Sequence, residues 1–134
     1  KPFLTHIHCP GKVTHEQVLH EMARAHVLVL SSRQESMPNV VLEAMGMALP
    51  VVCTRAGGVS ELVDHGSNGY LCPVESPQCL ADKLIQLAHD PILRQMLGAA
   101  GQEKVYENHG LHAKAHALLQ VYCGAQGRGL VTIS

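Results

Sequence analysis

The stretch from Val27 to Gly58 constrains the fold of this chain most, because apolar and polar segments alternate in it in a fixed order. An apolar run is followed by a polar loop, a segment with apolar side chains at helical spacing, and a second apolar run. The two runs are Val27–Leu30 and Val51–Cys53, and Pro50 ends the predicted helix between them. Strands without polar alternation are buried on both faces, which predicts a parallel sheet covered by helices.

The same alternation of strands and helices extends on both sides of this stretch. In chain order, the other predicted segments are a strand, a helix, a short helix, a strand and three amphipathic helices: Phe3–Cys9, His15–Ala25, Ser60–Val63, Tyr70–Cys72, the helices that begin at Pro77 and Pro91, and Leu111–Cys123. Such an order with short connections predicts an α/β fold, an open doubly wound parallel sheet with C-terminal helices. We expect one domain over residues 1–123 and a flexible tail over residues 124–134, from which Leu130–Ile133 could add an edge strand.

Capping signals and apolar spacing define the helices. Thr14 followed by Gln17 is a capping box, and Ser76 and Asp90 each stand at an N-cap position before a proline. The apolar spacing predicts that the following helix residues face inward: Val18, Met22, Ala25, Leu80, Leu84, Leu87, Ala88, Leu93, Met96, Leu97 and Ala100.

The composition excludes several classes of protein. The net charge is −1, with basic residues dispersed along the chain, so there is no electrostatic footprint for nucleic acid. No apolar run approaches the length of a transmembrane segment. Five cysteines without a CxxC pair predict reduced thiols that fill the core of a cytosolic protein. Among ten histidines, His112 and His116 have helical i, i+4 spacing, but no third ligand has convincing spacing, so we expect no metal.

The polar residues concentrate where the sheet is expected to bind a ligand. Open parallel sheets bind ligands beyond the carboxyl ends of their strands. Here those ends include residues 31–39 and 54–58, which are rich in polar residues and glycine. The helix that begins near Asn39 offers free backbone N–H groups and the positive end of its macrodipole, and Glu35 and Glu43 bracket its start. The pattern therefore predicts a seat for a phosphorylated ligand.

The run from Glu35 to Glu43 and the motifs around it resemble a known family. Its Glu-x7-Glu spacing is unspecific alone, but five further motifs flank it in order: Gly11-x-Val13, Ser32-x-x-Glu35, Pro50-Val-Val, Gly57-Gly58-x-x-Glu61-Leu-Val and Gly66-x-x-Gly69-Tyr-Leu. Together they resemble the group 1 (family 4) glycosyltransferases, which are retaining enzymes with the GT-B fold. The resemblance covers roughly residues 5–123 and implies a partial Rossmann-like domain that binds a nucleotide sugar.

The resemblance implies a role for each matching residue. Glu35 would contact the donor sugar beside the anomeric carbon as the catalytic candidate, and Glu43 would accept hydrogen bonds from the ribose diol. The remaining substrate-binding candidates would face the diphosphate, the sugar, the base or the cleft: Asn39 and Val40 through their backbone N–H groups, Ser36, Lys12, Val13, Gly57 and Gly58. No Asp-x-Asp motif occurs, so the nucleotide diphosphate sugar is expected as donor substrate without a metal or other cofactor.

The sequence also departs from the family pattern. Ala48 stands where the family usually has glycine before x-Pro, and Ser36 stands where glycine is common. The family's basic pair for the diphosphate and its acceptor-binding N-terminal domain both precede the part matched here. We therefore expect the isolated chain of 134 residues to have no measurable transferase activity.

Three functions remain open at this point. The first is the donor-binding part of a retaining hexosyltransferase, with a nucleotide-sugar donor and the missing N-terminal domain as partners. The second is a fragment of a sugar-nucleotide 2-epimerase. The third is a stand-alone, non-catalytic module that binds a nucleotide or a protein. We expect a cytoplasmic protein. A peripheral membrane location of the full-length protein and self-association through an exposed sheet edge remain open.

Overall fold

The computed structural model describes residues 6–34, 39–108 and 129–133. Its elements in chain order are α1 (His15–Arg24), β1 (Ala25–Leu30), α2 (Asn39–Gly46), β2 (Val51–Thr54), α3 (Val59–Leu62), β3 (Tyr70–Cys72), α4 (Pro77–His89), α5 (Pro91–Asn108) and β4 (Gly129–Ile133). The predicted helix Leu111–Cys123 lies outside the described residues.

The strands form one parallel sheet in the order β3-β2-β1-β4, as the sequence predicts for an α/β fold. Leu28 pairs with Val51 in the register of β1 and β2, and Cys53 pairs with Leu71 in that of β2 and β3. The edge strand expected in the tail is present as β4, because Gly129–Ile133 is hydrogen-bonded to β1.

The predicted strand Phe3–Cys9 is wrong over its described part. Residues 6–9 form no strand, and residues 1–5 lie outside the description. The physical reason is the pairing of β1, whose two hydrogen-bonding edges are occupied by β2 and β4. A strand from the N-terminal segment therefore has no place beside β1.

Helices cover both faces of the sheet, which confirms the doubly wound architecture. Alternate strand residues point to opposite faces. One set packs against α1, α2, α3 and the end of α5: Leu28, Leu30, Val51, Cys53 and Leu71. The other set packs against α4 and the beginning of α5: Val27, Val29, Val52, Tyr70 and Cys72. This two-sided burial explains why the strands read as unbroken apolar runs.

The strand order reverses direction at β1. From β1 the chain steps to β2 and β3 on one side, whereas β4 lies on the other side of β1. Since the sheet is parallel, the carboxyl ends of its strands share one edge, and the loops that follow them lead into α2, α3 and α4. A reversal of this kind places the ligand crevice at the carboxyl end of β1.

The capping box predicted for α1 is present. The backbone N–H of Gln17 donates to the Thr14 side chain at 3.2 Å, and the Gln17 side chain accepts from the Thr14 backbone at 2.7 Å. Leu19 and Met22 are buried on the sheet. The N-terminal turn of α1 is thereby fixed both by its own cap and by packing.

A Schellman turn ends α2. The N–H of Leu49 donates to the carbonyl of Ala44 and the N–H of Ala48 to that of Met45, each at 2.9 Å. This motif requires a left-handed residue after the helix, and Ala48 has φ of 58°. The departure from glycine noted in the sequence therefore falls on the residue that needs glycine's conformational freedom.

Two of the predicted inward positions are wrong. Ala88 is exposed, and Met96 is 64% exposed on α5, whereas their neighbours Leu87 and Leu97 are buried. On α4 and α5 fewer apolar side chains pack against the sheet than their spacing predicts, because the outer sides of both helices are exposed.

The expectation of reduced cysteines is wrong for one pair. Cys72 at the end of β3 and Cys79 in the first turn of α4 form a disulfide, with their Cα atoms 5.8 Å apart. The pairing results from the turn between β3 and α4, which brings the two residues together. Of the other described cysteines, Cys9 is exposed and free, and Cys53 is buried and free.

Candidate functional site

The carboxyl edge of the sheet gathers most of the predicted site residues. The loops after β1 and β2 lie there. The N-terminus of α1 lies at the same edge, because α1 runs antiparallel to β1. Each helix beginning at this edge presents free N–H groups and the positive end of its dipole. The edge is therefore suited to an anionic ligand.

Glu43 is a partly buried carboxylate at this edge, with a hydrogen-bond partner. It lies on α2, one turn past the helix start, and its side chain is only 17% exposed. Nε2 of His15 lies 2.8 Å from Oε1 of Glu43. Since a carboxylate only accepts, the imidazole donates this hydrogen bond. The contact joins α2 to the start of α1, and thereby to the neighbouring exposed residues Lys12 and Val13.

Asn39 and Val40 form the first turn of α2, as the resemblance requires. Asn39 is exposed and Val40 is half-buried. The first N–H groups of a helix have no acceptor within it, and the first turn of α2 contains no acidic side chain that would compensate the positive end of its dipole. The dipole at the start of α2 therefore favours an anion.

Glu35 and Ser36 lie outside the described residues. The catalytic role of Glu35 and the sugar-side position of Ser36 remain predictions from the resemblance.

Gly57 and Gly58 form the turn between β2 and α3. Gly57 has φ of 54°, a conformation that favours glycine, and Gly58 is the N-cap of α3. Without side chains, the two residues leave the carboxyl end of β2 open to a ligand. Their position agrees with a border of the cleft.

Thr54 belongs to this edge, although the sequence did not single it out. Its hydroxyl is buried and donates to the backbone carbonyl of Ser32, which ties the end of β2 to the loop after β1. The interaction spans 22 residues of sequence, so no local motif announces it. A threonine at the end of an apolar strand was the available signal.

A cavity of about 470 Å³ opens at the same edge on the α4 side of the sheet. Ser31, Thr54 and Leu80 contribute to its walls, and the ion pair between Arg33 and Glu75 spans 3.0 Å at its rim. Both charged side chains are mostly exposed, so the pair is weak and opens easily. Arg33 is thus close to the strand ends but engaged with a carboxylate.

Cys53 is excluded as a nucleophile. Burial in the centre of β2 raises the pKa of its thiol to about 12, so the thiol is protonated at neutral pH. Its role is packing, as the sequence predicts.

The described part of the chain contains neither a cluster of metal ligands nor a membrane-spanning helix. Within residues 6–34, 39–108 and 129–133, no three side chains of His, Cys, Asp or Glu come together as a metal site. No helix among these residues is long and apolar enough to cross a membrane. His112 and His116 lie outside the described residues.

The fold and the site define an α/β domain with a ligand edge at the reversal of its parallel sheet. Residues 3–104 match the family described as glycosyl transferases group 1. The chain belongs to this family.

Three similar proteins illustrate the relationship. N-acetyl-alpha-D-glucosaminyl L-malate synthase of Bacillus anthracis is 39% identical over 92 residues, 69% of this chain and 24% of that protein. Sucrose-phosphate synthase of Thermosynechococcus elongatus matches with a TM-score of 0.71 and 29% identity, over 84% of this chain and 28% of that one. Anabaena HepE in complex with UDP-glucose matches with a TM-score of 0.64 and 27% identity, over 75% and 29%. The chain spans about a quarter of the length of these relatives.

Proposed function

We propose that this chain is the donor-binding part of a retaining glycosyltransferase that transfers a hexosyl group from a nucleotide diphosphate sugar to an acceptor. The observation that carries the proposal is Glu43, a largely buried carboxylate one turn inside the helix that begins at the ligand edge. The family membership and the complex of the similar protein HepE with UDP-glucose support the same reading.

The arrangement suits the three parts of a nucleotide. The Glu43 carboxylate accepts hydrogen bonds from the 2′ and 3′ hydroxyls of the ribose. The diphosphate lies at the start of α2, where the N–H groups of Asn39 and Val40 have no acceptor within the helix. Lys12 and Val13, near His15, border the base, and Gly57 and Gly58 leave room for the ligand at the end of β2.

The chemical contribution of this part is electrostatic. When the bond to the anomeric carbon breaks, negative charge develops on the leaving diphosphate. Oriented N–H groups and the dipole of α2 stabilise that charge without reorganisation. In this proposal, Glu35 contacts the sugar beside the reacting carbon. The charge on the leaving diphosphate is stabilised by these N–H groups and the dipole without a metal.

The acceptor site belongs to another part of the protein in this proposal. The relatives are about four times as long as the segment matched here. The cleft that holds an acceptor then requires residues outside this chain, which accords with the expected lack of turnover by the chain alone.

An NMR titration of the 134-residue chain with UDP-, GDP- and ADP-sugars tests the proposal. We expect one of these donors to shift the backbone amides of residues 39–43. Glu43→Ala should lower the affinity for that sugar nucleotide about 10-fold to 100-fold, since hydrogen bonds to a charged group contribute about 1.5–3 kcal/mol.

Glu103→Ala is the matched control, because Glu103 is an exposed glutamate on α5, away from the ligand edge. It should bind the donor as the wild type does. The proposal fails if no donor shifts these amides, or if Glu43→Ala and Glu103→Ala bind equally well.

A further inference from the structure

We propose that His15 is a positioning residue that orients the Glu43 carboxylate and thereby raises the affinity for the nucleotide. The inference rests on the proposed function, because it takes Glu43 as the ligand of the ribose. It adds a residue outside the motifs that identify the family, and it starts from one contact: Nε2 of His15 lies 2.8 Å from Oε1 of Glu43.

The described residues give the Glu43 carboxylate one hydrogen-bond donor, and that donor is His15. The last torsion of a glutamate side chain has broad minima, so an unrestrained carboxylate samples many orientations. A ribose diol requires one of them. A donor that holds Oε1 removes part of this freedom before the ligand arrives, and preorganisation of this kind increases affinity.

The contact leaves capacity for the ligand. A carboxylate offers about four lone-pair sites on two oxygens, and His15 occupies one of them on Oε1. Oε2 and the second site of Oε1 remain for the two ribose hydroxyls. The imidazole therefore supports the ligand contact and does not replace it.

The imidazole is held by a rigid element. His15 is the first residue of α1, directly after the Thr14 N-cap, and the helix is anchored to the sheet by Leu19 and Met22. The positive end of the α1 dipole also lies on the side of the helix that meets the carboxylate, which stabilises its charge. A site built on a capped, packed helix holds its geometry better than one on a loop.

The donor role does not depend on the charge of the ring. The neutral tautomer with hydrogen on Nε2 and the imidazolium both donate from Nε2. The side chain is 63% exposed, so a solvated pair by itself contributes little to folding stability. The effect of His15 should therefore be visible in ligand affinity and small in the free energy of unfolding.

Three variants separate positioning from a structural role, with UDP as the probe and the 134-residue chain as the protein. His15→Ala removes the hydrogen-bond donor and should lower the affinity for UDP about 3-fold to 10-fold, which is the range of one net hydrogen bond. His15→Gln retains an N–H donor and should restore affinity to within about twofold of the wild type. His89→Ala, at the exposed end of α4 on the other side of the sheet, is the matched control and should leave affinity unchanged.

A double-mutant cycle tests whether His15 acts through Glu43. In the Glu43→Ala background, His15→Ala should produce no further loss of UDP affinity. The proposal is overturned if the two losses add, if His15→Ala binds UDP as the wild type does, or if His15→Gln is as weak as His15→Ala.

A second readout does not need the ligand. In a two-bond ¹H–¹⁵N spectrum of the imidazoles, the Nε2 signal of His15 should move in Glu43→Ala and stay in place in Glu103→Ala. If the wild type binds no nucleotide while this signal moves, the proposed function fails and the contact itself stands, without a role in binding. If UDP binds but the signal does not respond, the positioning role alone is overturned.

Discussion

Ala48 carries a backbone conformation that usually belongs to glycine. It occupies the left-handed position of the Schellman turn after α2, with φ of 58°. For an L-residue with a Cβ this region costs about 1–2 kcal/mol. The turn persists because its two hydrogen bonds and the packing of α5 determine the local backbone. Ala48 is thus a locally unfavourable residue in the turn between α2 and β2.

Replacement of this alanine should therefore stabilise the protein. We expect Ala48→Gly to raise the free energy of unfolding by about 0.5–1 kcal/mol, since relief of the left-handed strain exceeds the added entropy of the unfolded chain. Chemical denaturation measures the change. Ala99→Gly, at an exposed helical position of α5, is the matched control and should lower stability by about 1 kcal/mol. A loss of stability in Ala48→Gly would contradict the account.

At the scale of elements, α5 determines how α2 ends. Gln102 donates from Nε2 to the carbonyl of Gly46 at 3.0 Å, and the Tyr106 hydroxyl lies 3.3 Å from the same oxygen. A Cβ on Gly98 would lie 2.1 Å from the carbonyl oxygen of Ala48, so the helix backbone touches the turn directly. Since α2 also carries Glu43 and Asn39 of the proposed site, the contacts of α5 with the end of α2 fix the position of the helix that carries them.

Two glycines of α5 give a matched test of this close approach. Gly98→Ala should lower the free energy of unfolding by about 1–3 kcal/mol, because backbone must move to admit the methyl group. Gly101→Ala places a Cβ no closer than 3.5 Å to its neighbours and should stabilise by about 0.5–1 kcal/mol through helix propensity. Equal effects of the two substitutions in thermal denaturation would contradict the described packing.

The elements around Val27–Gly58 could be predicted from local sequence because each has its own signal. The apolar runs of β1 and β2, the capping box of α1 and the proline after Ser76 are all contained in a few residues. What could not be predicted depends on distant pairing. The segment 6–9 forms no strand because β4 pairs with β1 from the far end of the chain.

The candidate site divides in the same way. Glu43, Asn39 and Gly57 were predicted from motifs that resemble the family, and their positions at the carboxyl edge follow from the parallel sheet. His15 and Thr54 were missed, because their contacts span 28 and 22 residues and belong to no motif. The disulfide between Cys72 and Cys79 was missed because the turn between β3 and α4 brings together two cysteines whose spacing carries no recognised pattern.

At the scale of the whole molecule, the proposal assigns binding and turnover to different parts of the protein. In this proposal the chain provides the edge that binds the nucleotide, and it spans about a quarter of the length of its relatives. We expect the purified chain to bind a sugar nucleotide and to release no free nucleotide from it over hours, as measured by chromatography. Release of UDP at a rate that Glu43→Ala abolishes would show that the chain is catalytic alone.

The most direct test of the central claim is a crystal structure of this chain soaked with UDP. The account predicts the ribose hydroxyls within hydrogen-bond distance of the Glu43 carboxylate, with Oε1 still held by His15, and the diphosphate at the N–H groups of Asn39 and Val40. A nucleotide bound instead in the cavity beside Arg33 and Leu80, with Glu43 untouched, would contradict it.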